Sequence, residues 1–280
     1  MNFETPQIRE LVRLALAEDL VYGDITSDLT ISAVKESSAE IIAREPLVFC
    51  GGPLITLILD ELKAQTKVTL CRDEGTEAPA KAVLAKIKGA TRSLLAAERT
   101  ILNFLQRLSG IASHTRQVVG VSEKITVLDT RKTTPGWRVL EKYAVRMGGA
   151  KNHRFGLGDM VLVKDNHIDA NGRSVRKTLE RVFAGKPLYM PVEVEVRTLR
   201  ELDEALRFPV QVVMLDNLPR EELRKALKAI KENKPEVLVE VSGQVRREQL
   251  RDLAALGVQC VSMGGLTTQA RAVDIALKLR

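Results

Sequence analysis

Aromatic side chains are scarce in this 280-residue chain, at 4% with a single tryptophan. The core must therefore be built from Leu, Val, Ile and Ala, which suits repeated strands and helices better than an all-β sandwich. Sparse aromatics also leave little for stacking bases, and no block of five or six consecutive basic residues occurs. A nucleic-acid partner is disfavoured, and the net charge of +7 is read as serving small anionic ligands. Only three cysteines are present, Cys50, Cys71 and Cys260, and they lie far apart. That excludes a disulfide framework and a Cys-rich zinc site. The three histidines, His114, His153 and His167, fit no compact zinc spacing. No long apolar run exists either. The most apolar stretch, Pro46 to Leu59, is interrupted by Gly51, Gly52 and Pro53 and is too short to span a bilayer. Met1 to Glu10 is polar and charged, unlike a signal peptide. The cytoplasm is the expected location, with no membrane partner.

What is present is a change of texture near residue 110. Before it, the chain reads as a mixed α/β unit. Ile8 to Leu20 and Pro53 to Gln65 have helical spacing, as does the longer Ser93 to Leu108. Ser38 to Phe49, Val68 to Cys71 and Ala82 to Lys88 read as strands. After Gly110, six short apolar runs recur, each finishing in polar residues: Ile125 to Arg131, Met160 to Lys164, Val192 to Val196, Val210 to Asp216, Val237 to Ser242 and Val258 to Gly264. Helical segments at Leu199 to Leu206, Arg220 to Lys231 and Arg247 to Leu256 separate the later runs. Such alternation predicts parallel βα units. Six of them in that length predict a closed or nearly closed barrel, with a doubly wound sheet as the competing architecture. In either, chemistry gathers at the carboxyl ends of the strands.

Those ends carry a cationic set (Arg131, Lys132, His153, Arg154, Lys164), an acidic set (Glu195, Asp216) and glycine-containing turns (Ser242-Gly243, Gly264-Gly265). Several cations in one pocket repel one another unless an anion enters, so a multiply anionic ligand is the natural reading. Each charge taken singly could instead cap a helix or pair with a nearby acid. Glu195 and Asp216 suit Mg²⁺ completed by water and ligand phosphates, or positive charge developing on a sugar; a salt bridge to Arg131 or Lys164 is the structural alternative. Glu193 shares the parity of Glu195 and is expected deeper on the same face. Glycine turns after late strands admit a phosphate to backbone N–H groups.

Asp129-Thr-Arg-Lys-Thr-Thr-Pro-Gly136, Glu141-Lys-Tyr-Ala-Val-Arg146, Asn152-His-Arg154 and Lys164-Asp-Asn-His-Ile168 form a highly specific block. With Gly23-Asp-Ile-Thr-Ser27, Ala97-Glu-Arg-Thr100, Leu215-Asp-Asn217 and Ser262-Met-Gly264, the chain resembles the quinolinate phosphoribosyltransferases along essentially its whole length. Ala150, Gln244, Gly265 and Thr268 depart from the usual pattern of that family. The resemblance implies an α/β fold: an incomplete TIM-like α/β barrel (110–265) plus an open-faced α+β N-terminal domain (1–109), which a C-terminal helix (266–280) rejoins.

It also implies an activity, the conversion of quinolinate and phosphoribosyl pyrophosphate into nicotinate mononucleotide, carbon dioxide and pyrophosphate with Mg²⁺ and no organic cofactor. By position, Arg131, His153, Arg154 and Lys164 would bind quinolinate, while Lys132, Glu195 and Asp216 would surround the ribose and its pyrophosphate as the catalytic groups. Glu195 and Asp216 would hold Mg²⁺ together with substrate and water. Ser242, Gly243 and Gly264 would cradle the 5-phosphate. Arg99 would reach a partner subunit's site, so a homodimer or higher homo-oligomer with a shared active site is expected. Alternatives are a molybdenum-linked homologue of the family, an enzyme acting on nicotinate, and a non-catalytic anion- or nucleotide-binding regulator.

Overall fold

The computed structural model describes residues 2–280. In chain order the elements begin with α1 (Pro6–Asp19), α2 (Ile25–Thr30), β1 (Glu36–Ala43), β2 (Leu47–Val48) and α3 (Pro53–Glu61). Next come β3 (Thr66–Leu70), β4 (Glu77–Ala78), β5 (Val83–Ala90), the long α4 (Thr91–Val119), β6 (Thr126–Leu128) and α5 (Arg138–Met147). Then follow β7 (Val161–Val163), α6 (Asp165–Ala170), α7 (Val175–Gly185), β8 (Val192–Val196), α8 (Leu199–Ala205) and β9 (Val212–Asp216). The series ends with α9 (Arg220–Asn233), β10 (Leu238–Ser242), α10 (Leu250–Ala255), β11 (Cys260–Ser262), α11 (Gly265–Thr268) and β12 (Ile275–Leu279). No helix of the described residues is long and apolar enough to cross a membrane.

The chain divides into two compact units. One contains the chain up to Gln117 with Lys132–Ala150 and Gly265–Arg280; the other contains Val118–Arg131 and Lys151–Gly264. The first is built on an antiparallel sheet of order β12-β1-β5-β3. Along β1, Ala39, Ile41 and Ala43 are buried while the residues between them are more exposed, as a one-sided sheet requires. Within α4, Leu94, Ala97, Ile101, Leu105, Leu108 and Ala112 recur at helical spacing and are all buried. Each fully buried Leu or Ile of this kind contributes about 1.5–3 kcal/mol. At Gly110 a Cβ would sit 2.0 Å from the carbonyl oxygen of Arg271, so only glycine lets the C-terminal segment lie against α4.

That segment corrects the expected C-terminal helix over 266–280. Only Gly265–Thr268 is helical, and Ile275–Leu279 is a strand whose Ala276 and Leu277 pair with Ile42 and Ile41. Ile275, Leu277 and Leu279 alternate with Ala276 and Lys278, a period of two that suits an added sheet strand better than an isolated last helix. The segment does rejoin the first unit. So does Lys132–Ala150, because α5 is anchored there by buried groups. Tyr143 donates to Glu74 at 2.8 Å, and the fully buried Glu141 accepts from Arg107 at 2.8 Å.

The second unit is a parallel six-stranded sheet of order β6-β11-β10-β9-β8-β7. All six strands fall inside the six apolar runs of the sequence. β6 and β7, the first two of them in chain order, are the sheet's edges, so the barrel is incomplete rather than closed, and Lys151 adds a single parallel bridge to Leu128 at the β6 edge. In β8 every residue is buried. Val192, Val194 and Val196 occupy one face and Glu193 and Glu195 the other, since side chains alternate along a strand. Two acids on the inner face of a buried strand are costly unless they have partners. What those partners are defines the site.

Candidate active site

The strand ends of the second unit are knit together by Asp129, one residue beyond β6 and fully buried. Its carboxylate accepts from Asn152 Nδ2 at 2.6 Å and from the backbone N–H of His153 at 2.8 Å, while its own N–H donates to the Lys151 carbonyl at 3.1 Å. The segment carrying His153 and Arg154 is thus fastened to the β6 end. Arg154 is pushed below the usual arginine range by burial first and by the like charge of Arg131 second; Glu193 and Asp159 pull the other way. The like charge of Arg131 is thus felt at Arg154.

Behind them lies a buried triad. His153 Nε2 is 3.1 Å from Glu193 Oε2 and 3.5 Å from Glu240 Oε2. Glu193 is the deeper acid anticipated from its parity with Glu195. Glu240, on β10 and level across β9 with Glu195, was not singled out from the sequence. Its signal was there, because Glu240 and Ser242 share a face, with only Val241 between them. Burial opposes protonation of His153, but hydrogen bonds to the two carboxylates outweigh it and favour the cation, to about 9. A second contact restrains this. The backbone N–H of Arg154 donates to His153 Nδ1 at 2.8 Å, which requires a lone pair on that nitrogen. The hydrogen bond assigns the ring proton to Nε2, facing the two carboxylates. Burial does push Glu193 upward, as does its closeness to Glu240.

Lys164 Nζ pairs with Glu195 Oε2 at 2.6 Å, the ion pair weighed as an alternative for that acid. Lys164 is partly open to solvent and Glu195 nearly buried, so the pair presents its cationic end outward. At the end of β9, Asp216 accepts from Asn217 Nδ2 at 3.0 Å and pairs in register with Ser242. Asn217 is in the left-handed region (φ 53°), and its Oδ1 accepts from the backbone N–H of Gln244 at 3.3 Å. Gly243 has φ 113°, and a Cβ there would lie 2.2 Å from Asn217 Oδ1, so this turn demands glycine. A cavity of about 270 Å³ opens beside it, with Asn217, Arg220, Ser242, Gln244 and Asp252 in its lining. Gly264 follows β11 at the end of this unit.

Two expected site residues belong to the first unit. Arg99 lies on α4, in a cavity of about 260 Å³ with Leu11, Glu18, Asp19, Asn103 and Trp137. Trp137 stacks on Phe104 at 4.6 Å. The carbonyl of Lys132 accepts from Thr267 Oγ1 at 2.6 Å. Within the second unit, the structure brings Arg131 to Arg154, His153 to Glu193 and Glu240, Lys164 to Glu195, and Asp216 to the Ser242-Gly243 turn.

The fold and site define a family. The quinolinate phosphoribosyl transferase C-terminal domain model matches residues 111–278, and its N-terminal domain model matches residues 24–109. This chain belongs to the quinolinate phosphoribosyl transferase family. It is 40% identical over 276 residues to the nicotinate-nucleotide pyrophosphorylase (carboxylating) of Mycobacterium leprae, covering 97% of this chain and 96% of the relative. Among solved structures, NadC from Streptococcus pyogenes superposes with a TM-score of 0.93 at 35% identity, covering 100% of this chain and 99% of the other. The nicotinate-nucleotide pyrophosphorylase from Francisella tularensis superposes at 0.89 and 37% identity, covering 99% and 98%.

Proposed function

We propose that this chain transfers the phosphoribosyl group of phosphoribosyl pyrophosphate to quinolinate with decarboxylation, giving nicotinate mononucleotide, carbon dioxide and pyrophosphate in NAD biosynthesis. The observation that carries the reading is the gathering of Arg154, whose charge is weakened by that of Arg131, with a further cation, Lys164, at the ends of strands of one sheet. A dicarboxylate neutralises that arrangement, and a monocarboxylate leaves part of it unbalanced.

In this reading Arg131, Arg154 and Lys164 take the two carboxylates, with His153 beside them. They aim the ring nitrogen at the anomeric carbon, which makes a two-body encounter effectively intramolecular. As pyrophosphate departs, positive charge grows on the ribose, and Glu195 and Asp216 stabilise it. Lys132 lies with the pyrophosphate. Ser242, Gly243 and Gly264 hold the 5-phosphate through backbone N–H groups. The ring nitrogen, once quaternised, draws in the electrons released as the adjacent carboxylate leaves as carbon dioxide.

Mg²⁺ fits the acidic side. Glu195 and Asp216 are hard oxygen donors, each with a second oxygen besides the one held by Lys164 or Asn217. Bound there with water and substrate phosphates, the ion would neutralise the leaving pyrophosphate. No organic cofactor is needed. Arg99 serves the active site of a partner subunit, so the working form is a homodimer or larger homo-oligomer, and the enzyme acts in the cytoplasm.

The test is pyrophosphate release with quinolinate and, separately, with nicotinate. Release with quinolinate together with nicotinate mononucleotide formation supports the reading. Release with nicotinate alone, or none with either, overturns it.

A further inference from the structure

Glu193, Glu240 and His153 place three ligand-type atoms within 4.8 Å of one another, a set that could hold a metal ion. The hydrogen bond at His153 Nδ1 argues against that use. A histidine that coordinates through Nε2 needs its lone pair there and its proton on Nδ1, whereas here Nδ1 accepts the Arg154 N–H at 2.8 Å. Nε2 therefore carries the hydrogen, and it points at two carboxylates that are 1% and 2% exposed. The remaining oxygen of each, Glu193 Oε1 and Glu240 Oε1, is buried and has no hydrogen-bond partner. Such a pair is kept in a barrel interior for a reason other than stability.

The reason lies in what His153 touches on its other edge. Its backbone N–H is fixed by Asp129 at 2.8 Å, and its ring fixes the backbone N–H of Arg154. The direction of the imidazole thus sets where the Arg154 main chain runs, and so where its guanidinium stands relative to Arg131. We infer that Glu193 and Glu240 are positioning residues: they share the His153 Nε2–H, lock the ring as a strut, and through it hold Arg154 beside Arg131 to receive a dicarboxylate. His153 in this scheme acts inside the protein, with both ring nitrogens engaged, rather than as a cation offered to the ligand. This rests on the dicarboxylate reading of the site and adds the device that preorganises it.

The experiment uses the full-length enzyme. Glu193→Leu and Glu240→Leu remove the acceptor at similar volume, and Glu193→Gln and Glu240→Gln keep an acceptor oxygen. Steady-state constants for both substrates are combined with calorimetric binding of quinolinate. We expect Glu193→Leu to raise the quinolinate KM and Kd by roughly ten-fold or more. Glu240→Leu, at the longer contact, should have a smaller effect, both Gln variants should stay within about three-fold of wild type, and the phosphoribosyl pyrophosphate KM should be unchanged.

Equal effects of Leu and Gln, or equal loss for both substrates, overturn the positioning role. Should the Leu variants not fold, the wild-type enzyme answers through ¹⁵N NMR of its three imidazoles, with His153→Asn identifying the resonance. A protonated Nε2 and an unprotonated Nδ1 support the strut, and the reverse tautomer or an imidazolium overturns it. A stoichiometric metal lost in Glu240→Gln also overturns it. Failure of the functional reading looks different: wild-type protein that neither binds nor consumes quinolinate ends both proposals, whereas active wild-type with unaltered Leu variants ends this one alone.

Discussion

In the proposed reading Arg131 and Lys164 both meet the substrate's carboxylates, and Lys164 also leans on Glu195. Replacing either by alanine should lower turnover about a hundred-fold or more, since charge-assisted hydrogen bonds to substrate are lost. The far-ultraviolet circular dichroism and melting temperature should stay near wild type; near-normal turnover contradicts the assigned roles. At Gly243, alanine would meet Asn217 Oδ1 and adopt a left-handed backbone. Gly243→Ala should raise the phosphoribosyl pyrophosphate KM while leaving quinolinate binding intact, and should cost about 1–2 kcal/mol in a denaturant melt. The residues at this scale were unevenly legible. The strand-end cations and Glu195 stood out because unlike chemistry follows apolar runs. Glu193 was found by parity, yet Glu240 escaped: the same parity with Ser242 puts it on the site's face, but only the fold shows that a histidine from a distant loop meets it. The pairing of Lys164 with Glu195 was an open alternative in the sequence, and only the fold decides it.

Among the elements, the parallel strands were legible because both faces of a barrel strand are buried and the sequence becomes nearly continuous in valine. The C-terminus was misread as helix because β12 is short and its fate depends on β1, more than two hundred residues away. Likewise α4 extends to Val119, eleven residues past the expected stop, because Gly110 is retained for close packing and does not end the helix. Before β12, Glu45 accepts from the Arg271 guanidinium and from the Asp274 N–H at 2.8 Å, fastening the approach to the sheet. Those hydrogen bonds, Arg271 foremost, hold the Glu45 carboxyl down at about 2. A carboxylate depressed in the folded state stabilises above its unfolded pKa, near 4.5, and that contribution fades as pH falls towards 2. Glu45→Gln should therefore melt lower than wild type at pH 7, with the gap narrowing below about pH 4. A gap that is constant with pH contradicts the link.

For the whole molecule, neither unit alone carries every expected site residue, for Arg99 and Lys132 belong to the first and the remainder to the second. The subunit-sharing proposal is checked by mixing Arg99→Ala with Lys132→Ala protein: refolded mixed dimers should regain part of the activity that each variant lacks. No recovery in demonstrably mixed dimers contradicts a shared site. The two-part architecture was legible from the change of texture near residue 110. The return of Lys132–Ala150 to the first unit was not, because it depends on buried partners such as Glu74 and Arg107 that no local pattern reveals.

The central claim is that paired guanidiniums at the strand ends select a doubly acidic pyridine. It is met most directly by pyrophosphate release from the purified wild-type enzyme supplied with phosphoribosyl pyrophosphate and Mg²⁺, comparing quinolinate with nicotinate. The account predicts release with quinolinate, equimolar carbon dioxide, and little release with nicotinate. Equal or greater release with nicotinate would contradict it.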